Sequence, residues 1–392
     1  DNKIYVFKNK ANSKYAFCAE MRCVPYWKVI SPKQIYMMIH SKPEKSGYPI
    51  YITIPKFKKP VSLFILFRAL GISNDKDICK YILLNIKDGN RKKYLNFLKG
   101  SIETTHHCMD YHECIQNIKT SVIYTPINMS IEEGERKKID FTIDILNNDL
   151  FPNCKTKKEK LYMLGFMAYN LISCFLGYRK HDDRDSYENK RIELTGCLLN
   201  NLFRNYFNKV TKDIQKLVIR EINNGSWKSS EDYTNIINLT NIYKIVKSST
   251  IENGIKRALS TGDFGIKQLN TTNKVGVAQV LNRLTAASTF SHLRRINTPI
   301  DKSGKLVDPR KLHNSTWGFL CPAESPEGQS VGVVKNLAYM TCVSGYSDPN
   351  CIYDYIIKDI IDLNDENYTP EYFYDKVKVI FNGRWLGIVT NP

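Results

Sequence analysis

Apolar positions along the chain change texture twice. Up to about residue 155, short aromatic and β-branched runs alternate with Pro and Gly, as in "KIYVF", "YPIYITIP" and "FKKPVSLFILF". Runs of that length between turn residues predict short strands. The apolar block 61–67 leads into "RALGISNDKDICKYILLNI", where "SNDKD" offers cap residues for a helix. From about 155 the pattern is helical. "LYMLGFMAYNLISCFLG" (161–177) is apolar on every side, yet it is short for a membrane span and contains Asn170 and Ser173. It therefore predicts a buried core helix. "TGCLLNNLFRNYFNKVTKDIQKLVIREIN" repeats its apolar residues every three or four positions, which predicts a long amphipathic helix. Beyond 259, Gly, Pro, Asn and Thr mix with dense basic residues, the composition of loops carried on a rigid support. These patterns predict an α+β, multidomain chain of short mixed sheets and helices, and 392 residues suffice for two or three cores.

Charge sharpens this picture. The chain carries a formal net charge of +18, which implies a broad positive potential attractive to polyanions. The excess is local: residues 281–311 hold seven Arg or Lys against two Asp, whereas 341–392 hold eight acidic and four basic residues. That reversal predicts a domain boundary near 340. Eleven cysteines without a repeating spacing argue for free thiols in a reducing compartment rather than a disulfide framework. The first residue is Asp1 and no signal peptide precedes it, so the chain reads as an internal piece of a longer one. No basic amphipathic helix or lipid-anchor motif points to a membrane.

The densest candidate for chemistry is "FSHLRRINTPIDKSGKLVDPRKLHN", 290–314. Arg294 and Arg295 are adjacent forks, each able to engage a phosphate through two hydrogen bonds. "TPIDKSGKL" predicts a turn or hairpin tip presenting Lys302 and Lys305, with Arg310, Lys311 and His313 on a returning strand. Such a basic loop beside a basic platform suits a nucleic-acid backbone, although charge runs are most often simply solvated. "HDDRDSYENKR" (181–191) contains an Asp-x-Asp pair, Asp183 and Asp185. Arg184, Lys190 and Arg191 compete for the same oxygens, so an ion-pair network between two helices is preferred to a Mg²⁺ site. "HHCMDYHEC" offers His106, Cys108, His112 and Cys114, but at a spacing unlike common zinc motifs; a polar helix start is the better expectation. No phosphate-binding glycine loop, His-Glu-x-x-His or Gly-x-Ser-x-Gly occurs, so no self-contained catalytic centre is expected. "CPAESPEGQSVG", 321–332, sets Glu324 and Glu327 in a Pro-stiffened loop that could be an acid/base pair, a metal clasp or a scaffold.

The stretch from "GVAQVLNRLTAASTFSHLRRINTPIDKSGKL" through "VDPRKLHNSTWGFLCPAESPEGQSVGVVKNLA" resembles the fork region of second-largest subunits of multisubunit DNA-dependent RNA polymerases. "IPKFKKPVSLFILFRALGISNDKDI" resembles that family's lobe, and "LGYRKHDDRDSYENKRIELTGCLLNNLFRNYF" its passage back into the protrusion. "IFNGRWLGIVTNP" resembles part of its external domain. "NSTWGFLCPAESPEG" is closest in pattern to the eukaryotic, archaeal and large-DNA-virus branch, with Ser325 where Thr is usual. Richness in Lys, Asn, Ile and Tyr adds the expectation of an AT-rich genome, such as that of a giant virus.

This resemblance implies a lobe over 1–195, the C-terminal part of a protrusion over 196–258, a fork over 259–340 and the start of an external domain over 341–392. Fork loops would fall near 260–275 and 298–306. Nucleic acid would be met by Lys267, Lys274, Gln279, Arg283, Arg294, Arg295, Lys302, Lys305, Arg310, Lys311 and His313. Glu324 and Glu327 would belong to an active-centre loop, with Glu327 tuning elongation through ion pairs. No catalytic or metal-binding residue is expected in this chain. Mg²⁺ would act in the assembled enzyme, held by residues outside it. Implied partners are the largest polymerase subunit and other subunits, the DNA template and the RNA–DNA hybrid. The implied location is intracellular: the nucleus for a cellular enzyme, a cytoplasmic replication factory or virion for a giant virus. A stand-alone nucleic-acid-binding module, or a small single-chain nuclease or transferase using Asp183 and Asp185, remain alternatives to a polymerase piece that is inactive alone.

Overall fold

A computed structural model of the chain describes residues 2–10, 13–28, 30–44, 47–85, 91–124, 130–224, 239–247, 249–265, 275–300, 302–304 and 306–389. Two compact units emerge: Asp1–Arg184 together with Tyr346–Pro392, and Asp185–Gly345.

The first unit opens with an antiparallel meander of β1 (Ile4–Lys8), β2 (Tyr15–Cys23), β3 (Lys33–His40), β4 (Ile50–Thr53) and β5 (Val61–Ser62), paired in chain order. The register sets Val6 opposite Ala19, Ala19 opposite Met37 and Met37 opposite Ile52, and all four are fully buried. Period-two alternation therefore sends one continuous apolar row into the core. In "FKKPVSLFILF", expected as a strand, only Val61 and Ser62 form one; Leu63–Ala69 is instead helix α1. An unbroken apolar run has no period to separate strand from helix. Here it is enclosed by β4, β5 and the helices α2 (Asp75–Leu83), α3 (Lys92–Glu103) and α4 (Tyr111–Lys119), and every residue of α1 is buried. The Arg68 guanidinium donates through Nη1 to the carbonyls of Thr105 and Cys108 and through Nη2 to the Asp75 carboxylate. Asn74 caps α2, accepting from the Lys76 amide, as "SNDKD" suggested.

After α5 (Ile131–Asn148), the core helix α6 (Lys157–Phe175) packs on β1, β2, β3 and α2. It replaces the expected 161–177 span, and Thr156 caps it by accepting from the Glu159 amide. Gly165 lets α6 approach α2 closely, because a β-carbon there would stand 2.1 Å from the Tyr81 carbonyl oxygen. Among the described residues, no helix is long and apolar enough to cross a membrane. In the stretch expected to hold an ion-pair network, Asp182 accepts from the Val6 amide and from Arg179, and Arg184 pairs with Glu20 of β2 at 2.9 Å, so residues 182–184 cover the outer edge of β1. An exposed edge strand needs such covering.

The second unit begins with α7 (Thr195–Asn224), α8 (Leu239–Ile245) and α9 (Ser249–Thr261), where Leu202, Tyr206, Ala258 and Phe264 form a small core. Next come α10 (Ala286–Leu293), capped by Thr285, and a two-stranded ribbon of β6 (Arg295–Asn297) and β7 (Val334–Asn336).

The chain then returns to the first unit through α11 (Asn350–Ile356), β8 (Ile361–Asp362), β9 (Val377–Phe381) and β10 (Arg384–Val389), with sheet order β8-β10-β9. Trp385 of β10 packs on Tyr162 and Phe166 of α6. Arg384 donates to both carboxylate oxygens of buried Glu159, at 2.8 and 2.9 Å.

Candidate nucleic-acid interface

The basic stretch of the second unit is built around the β6–β7 ribbon. Arg295 stands opposite Asn336 and Asn297 opposite Val334, and the pairing continues from the Thr298 amide to the Val333 carbonyl. The expected returning strand through Arg310, Lys311 and His313 is absent. Single 3-10 turns occupy Asp308–Arg310 and Asn314–Thr316, and the strand that pairs with β6 lies further on, at Val334–Asn336. Pro309, with no amide proton and a fixed φ, favours a turn there over a ladder.

The arginines divide into two kinds. Arg294 points inward, its Nη2 donating to the carbonyls of Ala338 (2.7 Å), Tyr339 (3.3 Å) and Thr341 (2.9 Å). Arg310 is more heavily committed. Its Nε donates to Leu306, its Nη1 to Gln329 and Val331, and its Nη2 to Lys302 and Gly304, all backbone carbonyls at 2.6–3.3 Å. A planar five-donor fork can satisfy that many acceptors at once, whereas an ammonium cannot. The guanidinium thereby ties Lys302, Gly304 and Leu306 to the turn after Glu327. Gly332 completes the joint: φ is +67°, and a β-carbon would stand 2.1 Å from the Arg310 carbonyl oxygen.

Arg283, Arg295, Lys302 and Lys311 are exposed. Among the described residues, no acidic side chain pairs with Arg283, Arg295 or Lys302, while Lys311 makes a surface pair with Asp308 at 3.3 Å. Such a pair contributes little and leaves the charge available. Gln279 donates to the Gly276 carbonyl and meets His292 Nε2, and His313 Nδ1 meets the Ser315 hydroxyl at 2.7 Å. Lys267, Lys274 and Lys305 lie outside the described residues, as does most of the first expected fork loop.

The "CPAESPEG" loop is held by its backbone. Asn336 Nδ2 donates to the Glu324 carbonyl, the Cys321 amide to the Asn336 carbonyl, and the Gly332 amide to the Ser325 hydroxyl. The retained hydroxyl at 325 thus has a definite partner. The Glu324 carboxylate accepts from Ser291 of α10. Glu327 is exposed at the start of a 3-10 turn and, among the described residues, its carboxylate has no partner. The two carboxylates therefore do not work as a pair.

Two family models match: "RNA polymerase Rpb2, domain 2" over residues 1–193 and "RNA polymerase Rpb2, domain 3" over 279–343. The whole chain aligns at 36% identity with DNA-directed RNA polymerase II subunit 2 of Arabidopsis thaliana. This chain belongs to the family of second-largest subunits of DNA-directed RNA polymerases. Another relative is the RPB2 subunit of RNA polymerase II from Schizosaccharomyces pombe, also 36% identical over the whole chain. DNA-directed RNA polymerase subunit 2 of Acanthamoeba polyphaga mimivirus is 32% identical over 99% of it. The chain spans about a third of each relative, 32%, 31% and 32% in that order.

Among the described residues, no three His, Cys, Asp or Glu side chains are grouped to hold a metal ion. In "HHCMDYHEC", His106 and His112 are exposed while Cys108 and Cys114 are buried, and burial pushes the Cys114 thiol up to about 11. A zinc ligand needs the reverse, a readily formed thiolate. Asp110 and Glu113 instead make the cap of α4, the polar helix start that was expected. One contributor was not singled out from sequence. Lys335 on β7 donates to the Pro309 carbonyl at 3.0 Å, and burial lowers its pKa below the ordinary lysine range. A lone Lys inside "VGVVKNLA" carries no signal of such a role.

Proposed function

We propose that this chain is the part of a DNA-directed RNA polymerase that walls the nucleic-acid cleft and frames the fork, supporting template-directed RNA synthesis without supplying the catalytic metal site. The boundaries we assign are lobe to 195, protrusion 196–258, fork 259–340 and external domain from 341. The reading rests on family membership together with one observation, the division of labour among the basic residues. Two arginines are consumed by backbone carbonyls and stiffen the platform, leaving Arg283, Arg295, Lys302 and Lys311 outward for phosphates. Phosphate contacts of this kind position a duplex or hybrid without reading its sequence. Glu327, exposed and unpaired, is the group we assign to balancing positive charge near the incoming nucleotide. The largest subunit supplies the other wall of the cleft and the Mg²⁺ ligands in this proposal. A eukaryotic nucleus or a viral factory are both compatible with the relatives found.

The test is salt dependence in the assembled enzyme. Arg295→Ala should flatten the log–log salt slope of elongation-complex stability by about one unit for each lost phosphate contact. Arg294→Ala should leave that slope unchanged and lower thermal stability. Equal slopes for wild type and both variants would overturn the assignment of Arg295. Glu327→Ala should change elongation rate and misincorporation with little effect on DNA binding; wild-type values of both would reduce it to a turn residue.

A further inference from the structure

Far from the fork in sequence, the first unit holds a second arrangement of aromatic and cationic side chains. Tyr169, Tyr94 and Tyr178 form a ladder of near-parallel rings. Tyr94 stacks on Tyr169 at 5.5 Å and on Tyr178 at 5.6 Å, with 16° between planes in both pairs. The inner end is fixed. Tyr94 is buried and shares a hydrogen bond with Ser173, and the Arg91 guanidinium lies 4.8 Å from the Tyr169 ring and 5.3 Å from that of Tyr94. The outer end is open, since Tyr178 is 55% exposed.

The charges around this ladder are placed against helix stability. Helix α3 starts with Arg91 at its cap position followed by Lys92 and Lys93, and its first turn has no acidic residue. Helix N-termini favour Asp and Glu and disfavour cations, so three in a row weaken this helix. A local cost of that kind points to a purpose other than folding. Lys92 and Lys93 are exposed, and Lys93 Nζ lies 5.7 Å from the Tyr178 ring centroid. Lys180 is exposed two residues after Tyr178.

We propose that Tyr178 is a stacking platform for a base of single-stranded nucleic acid, with Lys93 and Lys92 meeting the adjoining phosphates. A flat ring backed by two further rings offers an immobilised π-face at little entropic cost, and a base is the flat polyanion-borne group that fits it. The cation–π contact of Lys93 is surface-exposed and weak enough to be exchanged for a phosphate. Recognition would be tolerant of sequence, because every base has such a face. A phosphorylated peptide shares the anionic chemistry but makes no use of the ladder.

The test uses the full 392-residue chain and a single-stranded oligodeoxynucleotide carrying 5-iodouracil, which photo-crosslinks to stacked aromatic rings. The expected result is an adduct on Tyr178 that is lost in Tyr178→Ala and kept in Tyr178→Phe. Lys93→Ala and Tyr178→Ala should each weaken binding at this site, the latter about fivefold or more, the range for a lost base stack. The adduct should persist in an Arg295→Ala, Lys302→Ala chain, which separates this site from the fork. Crosslinks confined to the second unit would overturn the proposal. So would competition by a phosphopeptide equal to that of unlabelled single strand, or an unchanged adduct yield in Lys93→Ala. Unfolding of Tyr178→Ala at the wild-type midpoint would show that the loss of adduct is not a loss of fold.

Discussion

Arg294 and Arg310 have no feature in the sequence that separates them from Arg295, yet their guanidinium groups face carbonyls and that of Arg295 faces solvent. Basic density was legible in "LRRINTPIDKSGKLVDPRK"; which donors are already spent was not, because it depends on carbonyls up to 47 residues away. Arg310→Lys is the sharpest probe. An ammonium has three donors for the five carbonyls, so unfolding of the variant should show a loss of about 2 kcal/mol, while Arg295→Ala should change stability by less than about 0.5 kcal/mol. Cysteine behaviour is a second residue-level expectation. Cys197, Cys342 and Cys351 are exposed, whereas seven others are buried and burial raises their thiol pKa values, Cys18 to about 12. Iodoacetamide at pH 8 should label the exposed three first and reach the buried seven only on unfolding, since the thiolate is the reactive form.

The elements were legible where a period or the length of a run decides between helix and strand. The long α7 was readable from apolar spacing, and the core helix α6 from the length of its apolar run. Strand β5 and helix α1 were not, because "VSLFILF" is apolar apart from Ser62 and its enclosure by neighbouring elements decides the outcome. The same contextual logic governs β10, which docks on α6 through the Glu159–Arg384 pair. Burial alone would raise the Glu159 pKa. Hydrogen bonds from Arg384, Asn364 and the Lys155 backbone outweigh it, and the net shift is downward. A carboxylate with a depressed folded pKa contributes stability above its unfolded pKa, near 4.3, and loses that contribution as pH falls through the folded value. Asp149, held by Lys33 and Lys56, shifts in the same direction. The first unit should therefore lose stability progressively below about pH 4, as followed by Trp fluorescence during acid titration. Glu159→Gln should cost about 3–5 kcal/mol and flatten that pH dependence, because Arg384 stays buried without its counter-charge.

At the scale of the whole chain, composition swings from basic to acidic near 340, and one division between the compact units lies at 345/346. The return of 346–392 to the unit that contains residues 1–184 was not readable, since no local pattern reports a partner more than two hundred positions away. Residues 341–348 have no helix or strand, and Tyr346 is 84% exposed. Brief chymotrypsin treatment should accordingly cleave at Tyr346 before it cuts within 281–311. A first cut inside that basic stretch would contradict a linker at this position.

The long reach of β10 also sets a timetable. On a ribosome, the meander and α6 emerge before β10, with Glu159 in place and its guanidinium still unsynthesised. The chain must grow by a further 225 residues after Glu159 before Arg384 appears. At about 5–20 residues per second that interval is roughly ten to forty-five seconds. The nascent first unit spends it with an apolar flank of α6 and a buried-to-be carboxylate open to solvent. Chaperone engagement should peak in that window and end when residues 384–389 clear the exit tunnel.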